Sequence, residues 1–124
     1  TARRFNLQKD DCQFRCLDHP EGFSLRTREG QPFLVLNGVQ TQSARICSLV
    51  RELPEMERLG VDIVRLSPQP AHIGDIAASL KRALRDPGEV ADAAARLEAL
   101  AARQTCNGFW HGAAGIERVP ATLR

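Results

Sequence analysis

Two cysteines stand four residues apart in Asp10-Asp11-Cys12-Gln13-Phe14-Arg15-Cys16, and they have the most chemistry to offer in this chain. On a flexible loop both sulfurs can reach one metal centre. Zinc takes four nitrogen or sulfur ligands, and iron–sulfur clusters take four thiolates or close equivalents. Three intervening residues are less diagnostic than the two-residue spacing of zinc knuckles. The pair therefore reads as ordinary free thiols, as metal ligands or as part of a disulfide set. For zinc, Cys12, Cys16 and His19 with Cys106 or His111 supply a tetrahedron. For an iron–sulfur centre, further cysteines must come from outside the segment, or Cys106 must join. A radical-initiating pattern needs a third cysteine three residues after Cys16, and His19 stands there instead.

The other two cysteines are read differently. Cys47, in Arg45-Ile46-Cys47-Ser48-Leu49, falls within a predicted helix and reads as a small buried side chain. Cys106 lies in a glycine-bearing loop with Trp110 and His111, open enough for chemistry although a structural role comes first. Phe109 and Trp110 are expected to pack the tail onto the body. Hydrolytic chemistry has thin support. The chain has no G-x-S-x-G elbow and no glycine-rich phosphate loop, and its three histidines, His19, His72 and His111, are far apart. Asp10-Asp11 reads as a solvated pair.

These side chains need a scaffold. Residues 1–22 are polar and irregular. Phe23 to Arg28 alternates apolar and polar residues, as a half-buried strand does, and Glu29-Gly30-Gln31-Pro32 is a turn. Phe33-Leu34-Val35-Leu36 is a continuous apolar run, the mark of a strand buried on both faces. Thr41 or Ser43 then caps a helix in which Ile46, Leu49, Val50 and Leu53 recur at helical spacing. Pro54 interrupts or restarts that helix, Met56 and Leu59 continue its apolar face, and Gly60 ends it. Val61 to Leu66 is the next predicted strand, stopped by Ser67-Pro68-Gln69-Pro70. An amphipathic helix follows over Ile73 to Leu84. Asp86-Pro87 starts a last helix that runs to about Arg103.

Two apolar strands joined by a helix make a βαβ unit with parallel strands. The expected fold class is α/β, the last βαβα units of a (β/α) barrel-like domain, preceded by a cysteine loop and a short β-hairpin. The chain begins at Thr1, and two parallel strands cannot close a barrel. We therefore expect a C-terminal segment (1–124) of one such domain, divided into cysteine loop (1–22), strand and helix units (23–103) and tail (104–124). In α/β folds ligands meet the carboxyl ends of strands. That criterion selects Asn37 and Gln40 after the first strand, and Arg65 and Gln69 at the second, as substrate-contacting candidates. An arginine there can hold a carboxylate in bidentate fashion.

Composition narrows the classes. The chain has 124 residues, 43% hydrophobic and 26% charged, which suits one globular domain. Net charge is only +2, and no basic stripe interleaved with aromatics points to nucleic acid. No apolar run approaches the roughly 18 residues of a membrane span. Four cysteines are too few for a secreted disulfide scaffold, so the compartment reads as reducing and cytoplasmic.

Four stretches, "KDDCQFRCLDHPEGF", "PFLVLNGVQT", "LGVDIVRLSPQ" and "TCNGFWHG", together resemble the collagenase-like peptidase family, over nearly the whole chain. The resemblance implies an α/β barrel and a [4Fe-4S] cluster held by four cysteines. Cys12 and Cys16 match the last two cluster ligands, and the other two lie upstream; Cys47 and Cys106 match no ligand position. It further implies a sister subunit of the same family and a lipid-binding partner. The implied activity is oxygen-independent hydroxylation of a ubiquinone precursor, with prephenate as oxygen donor. The family name itself suggests a peptidase or peptide-binding domain, and a zinc-stabilised interaction module on Cys12, Cys16 and His19 is the third reading.

Overall fold

Two turns, around Gly30 and Gly38, set the architecture of the first part of the chain. A computed structural model describes the protein over residues 2–69 and 71–120; Thr1, Pro70 and 121–124, which include parts of the predicted loop stop and tail, lie outside the described residues. Strand β1 (Phe23–Arg26) pairs antiparallel with β2 (Pro32–Asn37), and β2 pairs antiparallel with β3 (Gln40–Ser43). Between β2 and β3 the turn has only two central residues, Gly38 and Val39. Gly38 has φ +59°, a backbone that a residue without Cβ adopts freely. A lone positive φ at the first central position is the mark of a II′ hairpin turn. The two flanking residues, Asn37 and Gln40, are register partners.

The predicted hairpin is therefore present, and a third strand extends it. Thr41 and Ser43, expected as helix caps, lie in β3. The run Phe33–Leu36 is only partly buried: Val35 is buried, Leu34 and Leu36 are half-buried, and Phe33 is 58% exposed. Phe23 of β1 and Val35 of β2 are both buried and, by the register, lie on opposite faces of the sheet. The ring of Phe23 meets His19 at 4.4 Å and Phe5 at 6.0 Å, which fastens the amino-terminal turn Ala2–Phe5 to the sheet. Residues Thr1–Ala44 form one compact unit and Arg45–Arg124 a second.

The second unit holds a parallel strand pair and three helices. Strand β4 (Ile46–Cys47) pairs with β5 (Thr105–Cys106), and between them run α1 (Leu53–Arg58), α2 (Ile73–Ala83) and α3 (Val90–Leu100). The long helix predicted from about residue 43 is thus replaced by a strand, a short 3₁₀ turn (Val50–Glu52) and a six-residue helix. Pro54 explains this. Its ring and missing N–H fit only a first helical turn, so Ile46, Leu49 and Val50 cannot belong to the same helix as Met56. The end of α1 matches expectation. Val61 N donates to Met56 O (3.0 Å) and Gly60 N to Glu57 O (3.0 Å), with Gly60 at φ +80°. That is the Schellman arrangement.

Residues 61–66, predicted as a strand, form no ladder with any described strand, and Ile63 is 86% exposed. An apolar run becomes a strand only where another strand meets its backbone groups. The expected parallel pairing of Phe33–Leu36 with 61–66 is not found among the described residues; a parallel pair forms instead between β4 and β5. Helices α2 and α3 agree with the sequence, except that α3 ends at Leu100. Asp86 caps the turn before α3 by accepting from Gly88 N at 2.8 Å. Leu53, Met56, Ala83, Val90 and Ala93 form the core, with Leu80 and Trp110 packed against it. Both units together make a mixed α/β protein with a small antiparallel sheet and helices. Among the described residues no helix is long and apolar enough to cross a membrane.

Candidate functional site

The loop from Cys12 to Gly22 is curled by successive tight turns. Gln13 and Phe14 both take positive φ, 48° and 49°, which reverses the chain between the cysteines. Arg15 N then donates to Cys12 O (3.1 Å), Leu17 N to Phe14 O (2.9 Å) and His19 N to Cys16 O (3.2 Å). Residues Arg15–Asp18 form one 3₁₀ turn. Left-handed backbone at two non-glycine residues costs energy, of order 1 kcal/mol or more each, and is often found at ligand clamps.

The result is that Cys12 and Cys16 line one recess of about 560 Å³. Both are half-buried and neither is bonded to another cysteine. Three cations, Arg3, Lys9 and Arg15, share the wall, and no acidic residue does. Arg15 is steadied by Gln13 Oε1 (3.2 Å) and by an exposed ion pair with Asp18 (3.7 Å). Phe14 supplies an apolar face, and the Gly38-Val39 turn of the hairpin closes another side. Two thiols under a cationic wall make a donor set for a soft metal centre that carries net negative charge. It is half the donor set of a four-thiolate cluster, so these residues fit one side of such a group.

The zinc set read from the sequence is not assembled. His19 stacks on Phe5 and meets Phe23 at a tilt rather than lining the recess, and among the described residues no group of three or more His, Cys, Asp or Glu side chains is placed to hold a metal. Asn37 and Gln40 flank the turn that borders the recess. Asn37 Nδ2 donates to Pro20 O (3.4 Å), and Gln40 Oε1 accepts from Gln42 Nε2 (3.3 Å). Of the second pair, in the unit Arg45–Arg124, Arg65 is exposed and Gln69 Nε2 donates to Ser67 O (3.3 Å) within its own loop.

A second polar cluster, in the unit Arg45–Arg124, was not read from the sequence. Glu52, 5% exposed, accepts through Oε1 from Asn107 Nδ2 (2.8 Å) and pairs with His111 Nε2 (3.0 Å). Asn107, 2% exposed, also donates to Val119 O (2.9 Å) and accepts from Val119 N (2.7 Å). Trp110 Nε1 donates to Glu55 Oε2 at 3.1 Å. The available signal was Glu52 itself, a carboxylate on the same helical face as Met56, four residues on. Trp110 packs the tail onto the core as expected, while Phe109 is 85% exposed.

Of the remaining cysteines, Cys47 departs from the buried position expected of it, whereas the burial of Cys106 accords with a structural role. Cys47 is exposed and in a strand, and Cys106 is buried. Burial of its sulfur, then the neighbouring Cys106, then Glu52 push the Cys47 thiol above the ordinary range. No family model matches the chain, and no solved structure matches it. What fold and site define is a mixed α/β protein with a cationic two-thiol recess.

Proposed function

We propose that Cys12 and Cys16 are two of the four thiolate ligands of a [4Fe-4S] cluster, the other two coming from polypeptide outside this chain. The observation that carries this is the recess in which both thiols meet Arg3, Lys9 and Arg15. Each thiol gives up its proton on ligation, so affinity falls as pH falls. The three cations offset the negative charge of a thiolate-ligated cluster, and Phe14 limits water on one side. When bound, the cluster supplies one-electron transfer.

In this reading the chain is the C-terminal portion of a UbiV-type member of the collagenase-like peptidase family. It serves as a non-hydrolytic subunit, forming a heterodimer with the sister subunit UbiU and acting with the lipid-binding protein UbiT. The process is oxygen-independent hydroxylation in ubiquinone biosynthesis, in the cytoplasm, with the ubiquinone precursor and prephenate as small molecules. The barrel placement goes with it. The unpaired segment 61–66 is where a neighbouring strand of a larger sheet would pair. Asn37, Gln40, Arg65 and Gln69 are the proposed substrate contacts.

The complete gene product, purified without oxygen, should be brown with a broad visible absorption shoulder. Serine at Cys12 or Cys16 should bleach it. A colourless protein after anaerobic reconstitution with iron and sulfide would overturn the reading.

A further inference from the structure

We propose that Cys47 and Cys106 form a second thiol pair, which closes to a disulfide when a peroxide oxidises the exposed member. The two cysteines are direct register partners in the parallel ladder of β4 and β5. That register is clamped from both sides, by Ile46 N donating to Gln104 O and Ser48 N donating to Cys106 O, each at 2.9 Å. Register partners project to the same face of a sheet. Neighbouring strands lie about 4.8 Å apart, inside the roughly 4.4–6.8 Å window of Cα separations that a disulfide accepts.

The burial of the pair is asymmetric, which sets an order of events. Cys47 is exposed and meets the oxidant first; Cys106 is only 5% exposed and can act only as the resolving thiol. The Cys47 thiolate attacks one peroxide oxygen, the O–O bond breaks, and the leaving hydroxide takes up a proton as water. Cys47 is then a sulfenic acid. Cys106 sulfur attacks the Cys47 sulfur, the S–S bond forms, and the S–O bond breaks. The departing hydroxide takes the Cys106 proton as a second water. Two thiols have lost two electrons and the peroxide has gained them. Closure turns the segment 47–106, which holds all three helices, into a covalent loop.

Because the Cys47 thiol is pushed up by burial, by Cys106 and by Glu52, thiolate is scarce at neutral pH. The closing rate should rise about tenfold per pH unit until the thiol itself titrates. The test treats the full chain with a small excess of hydrogen peroxide, then blocks free thiols, digests with trypsin and identifies linked peptides. The expected product joins peptides 46–51 and 104–118, is two hydrogens lighter than their sum, and separates on thiol reduction. It should form equally in the Cys12→Ser/Cys16→Ser double variant. Cys47→Ser, at an exposed position, should abolish it without disturbing the fold. Unlinked 46–51 and 104–118, with Cys47 carried on to sulfinic acid and Cys106 blocked as a free thiol, would overturn the proposal.

Discussion

Replacing Asn107 with alanine removes the centre of the buried polar cluster, and its cost can be worked from three contacts. Asn107 makes two hydrogen bonds with the backbone of Val119, at 2.9 and 2.7 Å, and one to Glu52 Oε1 at 2.8 Å. A neutral buried bond contributes about 1 kcal/mol net, and one to a charged group about 1.5–3 kcal/mol. The sum is about 3–5 kcal/mol. Glu52 makes the upper part of that range relevant: its Oε1 would keep only His111, and its Oε2 has no hydrogen-bond partner among the described residues. Urea unfolding followed through Trp110 is the assay. Trp110 is the sole tryptophan of the chain and packs against the core of the second unit, so it reports that unit. With a urea dependence of about 1–3 kcal/mol per molar, the midpoint should fall by roughly 2 M. The double variant Asn107→Ala/Glu52→Gln should lose less than the sum of the single losses, because an underpaired amide costs less than an underpaired carboxylate. A loss below about 1 kcal/mol for Asn107→Ala, or strict additivity in the double variant, would refute the reasoning.

Glycines separate by what a methyl group would meet. At Gly108 an added Cβ would lie 1.9 Å from the backbone oxygen of Ala114, so Gly108→Ala should cost more than about 3 kcal/mol by urea unfolding. Gly60→Ala meets nothing within 4 Å and pays only for its positive φ, about 1 kcal/mol. The Cys47 thiol is held above the ordinary range, and only the thiolate is nucleophilic. Its alkylation by iodoacetamide, followed by peptide mapping, should therefore lag behind a free model thiol at mildly alkaline pH and overtake its own neutral rate steeply as pH rises.

How much of this was legible in the chain depended on whether the signal was local. Asn37-Gly38 carries its turn in its own dihedral preferences, and Asp86-Pro87 carries its cap. The Gly60 terminus of α1 was equally plain. The helix predicted through Cys47 does not form, because Pro54 is confined to a first turn and outweighs the helical spacing of Ile46, Leu49 and Val50. Residues 61–66 look like a strand in composition, but a strand is made by its neighbours, and none of the described strands pairs with them. Cys12 and Cys16 were singled out by spacing, yet the cations of their recess come from Arg3 and Lys9 as well as from the loop. The Glu52–Asn107–His111 cluster joins residues 55 and 59 positions apart, a distance no local pattern spans.

The central claim is that the two thiols of the recess hold iron and sulfide. Iron and acid-labile sulfide, measured per chain in the anaerobically purified gene product, test it directly when the Cys12→Ser/Cys16→Ser double variant is compared with the Cys47→Ser/Cys106→Ser double variant. The account expects equal amounts of iron and sulfide that vanish in the first variant and persist in the second. Iron and sulfide retained without Cys12 and Cys16, or lost with Cys47 and Cys106, would contradict it.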